Sequence, residues 1–179
     1  MTFEELNRNL KENTSLFYKS FGLVDEATQN KKPDINIWSI AQNIEHLTAT
    51  NQSYYPIFEK LKNGDYSAPF IARVGFIVTL IEKLILGSVE PERKQRIKTF
   101  QVWEPSASYI KEPLEQFAQS QQLLADYVHS NWSLFEKGTV ISSPANKYVV
   151  YRLPVLLQII TQHQLRHLNQ AKEILQLVK

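Results

Sequence analysis

Between Leu156 and Val178 one stripe recurs at steps of four, three, four, four, three and four: Leu156, Ile160, His163, His167, Ala171, Ile174 and Val178. That period fits a helix and not a strand, which alternates every second residue. The stripe is apolar except at its centre, so the helix packs inward and carries two imidazoles with it. Such a helix needs other amphipathic helices to cover it, and the rest of the chain supplies them.

Thr2 and Glu5 form a capping box ahead of Phe3, Leu6, Leu10, Phe17 and Phe21, which gives a first helix from Thr2. Gly22 to Pro33 reads as a turn with a short helical piece. Ser39 and Gln42 repeat the capping pattern before Ile40, Ile44, Leu47, Asn51, Tyr54, Phe58 and Leu61. Pro56 predicts a kink near residue 55, and Asn63-Gly64 a stop. A third stripe, Phe70, Val74, Ile77, Ile81, Leu84 and Ile85, predicts a helix ending at Gly87. Residues 88–109 hold no sustained period and read as a long crossover loop, of a length that tends to be functional or to cover a site. Pro113 opens a further helix with Leu114, Phe117, Gln121, Leu124 and Val128 on its face. Lys137 to Lys147 is a polar connection, and the last helix starts near Pro154. Only Tyr148 to Tyr151 looks β-like. The expected architecture is all-α: one domain over residues 1–179, a four-helix bundle with crossed connectivity, a short extra helix and the long crossover loop.

Composition narrows the chemistry. The chain has no cysteine, which removes disulfides, thiolate metal sites and cysteine nucleophiles, so a metal site has to use His, Asp or Glu. With 20 basic and 18 acidic residues, the charge gives no reason to expect nucleic acid or a membrane surface as partner. The N-terminus is charged and amphipathic rather than a signal peptide, and Phe70 to Leu86 is too short and too charged for a membrane span. A cytoplasmic protein is the simplest expectation.

His163 and His167 lie one turn apart on the same helix face and could chelate one ion. The competing reading is a hydrogen-bonded core pair. Against it, buried polar rings without partners cost about 1–3 kcal/mol each, and Gln164 and Gln170 could satisfy them only in part. His46 sits on the shoulder of its stripe, on a face with Gln42, Thr50 and Ser53, which suits either a polar pocket mouth or an ordinary exposed histidine. His129 reads as surface. Gln42 is either a capping residue or a ring-orienting partner, and Gln170 is a second orienting candidate. Arg166, off the histidine face, is either a surface residue or an anion clamp, and Tyr54 and Tyr55 read as packing residues, with pocket lining the alternative for one of them.

The run from Trp38-Ser39 to His46-Leu47, combined with His163-x-x-x-His167-x-x-Gln170, resembles the DinB-like superfamily, which includes YfiT-type proteins and bacillithiol transferases. The resemblance covers the whole chain. It implies a crossed four-helix bundle, a three-histidine metal site of His46, His163 and His167, and frequent homodimers. It further implies that the chain could be a transferase, since members include thiol-dependent S-transferases and maleylpyruvate isomerases. Three neutral imidazoles would leave a divalent ion an open position, Zn²⁺ by default and Ni²⁺ as the alternative. Such an ion lowers the pKa of a bound water to roughly 7 or deprotonates an incoming thiol. Without a cysteine, a low-molecular-weight thiol has to come from outside as cofactor or substrate. The basic residues Arg93, Lys94, Arg96 and Lys98 are either a solvated loop or a surface receiving an acidic thiol. The other functional expectation is a non-enzymatic bundle that binds a metal or small molecule, or merely dimerises.

Overall fold

A computed structural model describes the chain except residues 94, 96, 97 and 107. It is mostly helical. The helices are α1 (Phe3–Phe21), α2 (Glu26–Asn30), α3 (Ile40–Ser53), α4 (Tyr55–Asn63), α5 (Gly75–Ser88), α6 (Pro113–Ser130), α7 (Trp132–Glu136) and α8 (Leu153–Val178). Both predicted capping boxes form: Thr2 with Glu5, and Ser39 with Gln42. The predicted kink falls at Tyr54, where α3 gives way to α4, whose first turn accommodates Pro56 because its missing N–H would have had no partner there. Gly64 closes α4 with a φ of 76°, a left-handed conformation that glycine adopts without strain.

The bundle is built from α1, α3, α6 and α8, with α1 and α3 each packed chiefly against α6 and α8. Its interior has two apolar clusters. One gathers Leu6, Leu10, Phe58, Leu124, Phe135 and Leu156, and the other Phe17, Phe21, Ile44, Leu47, Phe117 and Leu168. A layer of buried polar side chains joins the four helices. Gln121 Nε2 donates to Gln164 Oε1 at 3.0 Å, and Gln164 Nε2 returns the bond to Gln121 Oε1 at 2.8 Å. Asn13 Nδ2 reaches the same Gln164 oxygen at 2.9 Å, and Asn51 Nδ2 reaches Gln121 Oε1 at 2.9 Å and Ser120 Oγ at 3.1 Å. Every helix of the bundle contributes an amide, so the layer fixes how the helices are rotated about their axes. Gln164 is therefore committed to this layer and not to the histidine rings.

Two sequence expectations need correction. The Lys137 to Lys147 connection is not merely polar loop: Val140–Ser142 (β1) pairs antiparallel with Val150–Arg152 (β2) in a small hairpin. The β-like run from Tyr148 was thus the edge of a real but short strand pair, placed one or two residues early. The Phe70–Ile85 stripe is also misassigned. Phe70 to Arg73 form a 3₁₀ turn, and the buried residues of α5 are Val78 and Glu82; of the predicted stripe, Ile85 packs against the core, while Phe70 is 77% and Leu84 66% exposed. α5 is apolar nearly all round, so periodicity could not say which side was buried. Glu82 holds the edge of the hairpin by accepting from Arg152 N at 2.8 Å and pairing with the Arg152 guanidinium.

Candidate metal centre

α3 and α8 pack against each other and bring His46 to the pair His163 and His167. The three rings offer ligand atoms within 4.8 Å of one another, and among the described residues theirs is the one such group of metal-ligating side chains. His46 and His167 are buried, while His163 keeps partial access to solvent. The sequence left His46 undecided between a pocket mouth and an exposed position; it is 3% exposed, inside the site.

Protein partners set the tautomer of two rings. His46 Nδ1 lies 2.7 Å from the Trp103 carbonyl oxygen, which can only accept, so Nδ1 carries the proton. His167 Nδ1 lies 2.8 Å from Asn43 Oδ1. The Asn43 amide is oriented by its own Nδ2, which donates to the Ser39 carbonyl at 2.8 Å, so Oδ1 faces the ring and accepts. In neutral imidazoles both Nε2 atoms then present lone pairs to the centre. His163 Nε2 lies between them, 3.3 Å from His46 Nε2 and 3.0 Å from His167 Nε2. It has at most one proton to give, so at most one of these close nitrogen pairs is a hydrogen bond and the other has no proton between its nitrogens.

Two kinds of positive centre could relieve this: a proton or a cation. Burial opposes the proton. It pushes the His46 pKa down to about 4, and it drives His163 and His167 well below the usual histidine value, with further repulsion from neighbouring rings and the Arg166 guanidinium. A metal ion fits the same atoms. With Zn–N bonds of about 2.0–2.1 Å, the nitrogens of a tetrahedral site stand about 3.3 Å apart, close to the spacings found here. The donor set is all imidazole and uncharged, which suits Zn²⁺ or Ni²⁺.

The metal-free protein should lose stability as the pH falls from about 6.5 to about 4. The unfolded chain takes up protons first, at the ordinary histidine pKa, whereas folded His46 resists until about pH 4. His46 alone should cost up to about 3 kcal/mol across that window, with the other two rings adding in the same direction. Denaturant unfolding at several pH values checks this, and flat stability across the window would contradict it.

Other positions expected from sequence divide clearly. Gln42 is the capping residue, with its Nε2 used on the Ser106 carbonyl, and it does not orient a ring. Arg166 is neither a surface residue nor a free clamp. It is buried, and its guanidinium donates to the carbonyls of Glu90 at 3.3 Å and Gln95 at 2.7 Å. Of the basic cluster, Lys94 and Arg96 lie outside the described residues, Lys98 is exposed, and Arg93 bonds Gly87 O and Gln95 Oε1. Tyr54 packs in the core with its hydroxyl against Tyr151, and exposed His129 lies tilted against Phe3, 4.8 Å between ring centroids.

Sequence reasoning missed both ring-orienting groups. Asn43 had a readable signal, since it lies three residues before His46, and so on the same helix face. The Trp103 carbonyl had none, because a backbone oxygen is unmarked in sequence. Trp38, from the Trp-Ser pair, rests against both rings, 5.0 Å from His46 and 6.1 Å from His167 between centroids. Asn43→Leu should weaken zinc binding about 10–100-fold, because it frees the His167 ring and its tautomer. Competition against a zinc chelator measures this, and unchanged affinity would show that the ring needs no partner.

No curated protein and no solved structure matches the chain. The sequence profile of the DinB superfamily matches residues 9–171, a span that includes all three histidines, the whole of α3 and most of α8. The chain belongs to the DinB superfamily.

Proposed function

We propose that this protein binds one divalent metal ion through His46, His163 and His167 and acts as a metal-dependent transferase on a low-molecular-weight thiol, or on water. The observation that carries the reading is the convergence of three uncharged nitrogens, with two tautomers fixed so that their lone pairs meet. A metal bound by three imidazoles supplies a Lewis acid with an open position, which makes a thiol or water nucleophilic near neutral pH. The chain's own contribution is to hold His46 and His167 rigid and to leave His163 beside solvent, where a small substrate can approach. Zn²⁺ is the ion favoured by the donor set, with Ni²⁺ second.

The test is turnover of zinc-loaded protein with a panel of small thiols and a chromogenic electrophile. Conjugation that needs the metal and disappears in His163→Ala supports the transferase. Zinc-loaded protein inert with every thiol favours the second reading, a non-enzymatic metal- or small-molecule-binding bundle.

The reading extends to a homodimer in the cytoplasm, where small thiols stay reduced. No helix among the described residues is long and apolar enough to cross a membrane. Exposed Phe76, Leu80 and Leu84, one turn apart on α5, are the face we assign to a second copy. Light scattering of the wild type against Leu80→Glu decides it: a dimer that becomes a monomer supports the assignment, and an unchanged mass refutes it.

A further inference from the structure

Residues 98–106 lie along α3 and are largely exposed, with a single 3₁₀ turn at Gln101–Trp103. Their two backbone–backbone bonds, Trp103 N to Phe100 O and Glu104 N to Gln101 O, stay inside the segment. Among the described residues, each hydrogen bond from this segment to the bundle involves a side chain of α3. Trp103 Nε1 donates to Ser53 Oγ at 3.0 Å, His46 donates to the Trp103 carbonyl, Gln42 Nε2 donates to Ser106 O at 2.9 Å, and Ser106 N donates to Glu45 Oε2 at 2.6 Å. A segment held this way, with exposed backbone and few buried contacts, belongs to the least stable part of a fold.

One of these four bonds differs from the others. His46 Nδ1 shares a ring with the nitrogen that faces the candidate ion. A cation on Nε2 makes the Nδ1 proton more acidic, so the bond to the Trp103 carbonyl gains charge-assisted strength. In the other direction, a docked Trp103 holds the ring in the right tautomer and orientation before any ion arrives. Trp103 is itself anchored at its far end by Ser53, whose hydroxyl is fixed by donating to Thr50 O at 2.6 Å.

We propose that residues 98–106 form a clasp whose docking on α3 and metal binding at His46 reinforce each other, with Ser53 as the positioning residue that acts through Trp103. The inference rests on the three-histidine metal reading. Linkage makes the coupling reciprocal: whatever factor the docked clasp adds to metal affinity, the metal adds to docking.

The experiment uses the full chain and zinc alone. Zinc should slow amide hydrogen exchange across residues 98–106 about five-fold or more, within the usual range of site-to-site coupling. Ser53→Ala should weaken zinc binding by a similar factor and abolish that slowing, and Ser53→Thr, which keeps a hydroxyl, should restore both. Trp103→Phe keeps the carbonyl but loses the indole N–H, so it should reproduce Ser53→Ala. A purely structural role for Ser53 would move the melting temperature and leave zinc affinity unchanged, which would overturn the proposal. Zinc that binds without altering exchange in 98–106 would also overturn the clasp while leaving the metal site intact. Failure of the wild type to bind zinc would sink both.

Discussion

His163→Leu should abolish stoichiometric zinc binding while leaving the metal-free protein at least as stable as the wild type. His46 and His167 each have a protein acceptor for Nδ1, but among the described residues His163 bonds only to the other two rings. Its removal therefore orphans no buried donor, and it takes away a nitrogen facing two fixed lone pairs. Leucine also continues the apolar stripe on which residue 163 sits. Loss of a ligand should exceed the 10–100-fold effect of losing an orienting partner such as Asn43. Opposite signs for binding and stability are expected where a site holds groups in place for function. Zinc titration and thermal unfolding of the metal-free variant measure the two effects. A large loss of stability would show instead that the histidines are a hydrogen-bonded core.

Gln164→Leu should act the other way round, destabilising the fold by about 2–4 kcal/mol with little effect on zinc affinity. The substitution removes both bonds to Gln121 and the acceptor for Asn13 from a layer that is buried throughout. Each buried polar group left unpaired costs about 1–3 kcal/mol, while leucine recovers some apolar burial. For a chain of this size a change of 1 kcal/mol moves the melting temperature by about 2–4 °C, so a fall of roughly 5–15 °C is expected. Gln164 neighbours His163 in sequence but bonds to neither ring nor ring partner, hence the separation of stability from metal binding. A melting temperature within a degree of wild type would mean that the layer is dispensable.

These contrasts show which parts of the molecule were legible before the structure. α8 was read almost in full, because its stripe is long and its period unambiguous, and it placed His163 and His167 inside. α3 reads as a helix, but His46 only as a shoulder residue: it lies beside the apolar line of Ile40, Ile44 and Leu47 that packs in the core, and periodicity tracks apolar residues. The same blindness hid the polar layer. Asn51 and Gln121 sat at regular stripe positions in the sequence, yet their bonds span 70 residues, and no local pattern reports such a partner. α5 failed for the opposite reason, being apolar over most of its surface. The crossover segment was expected to cover a site, and residues 98–106 do reach the metal centre, but through the Trp103 carbonyl, an atom that every residue type provides. Arg166 misled because a buried arginine that holds carbonyls cannot be told from an exposed one by its neighbours in the chain.

The measurement that bears most directly on the central claim is the metal content of wild-type protein purified without a histidine tag, by plasma mass spectrometry, followed by zinc titration after chelation. The account predicts about one divalent ion per chain, zinc or nickel, with full reloading after removal. Protein that carries no metal and takes up no zinc or nickel at neutral pH would contradict it, and the three converging nitrogens would then have to be a core feature without a ligand.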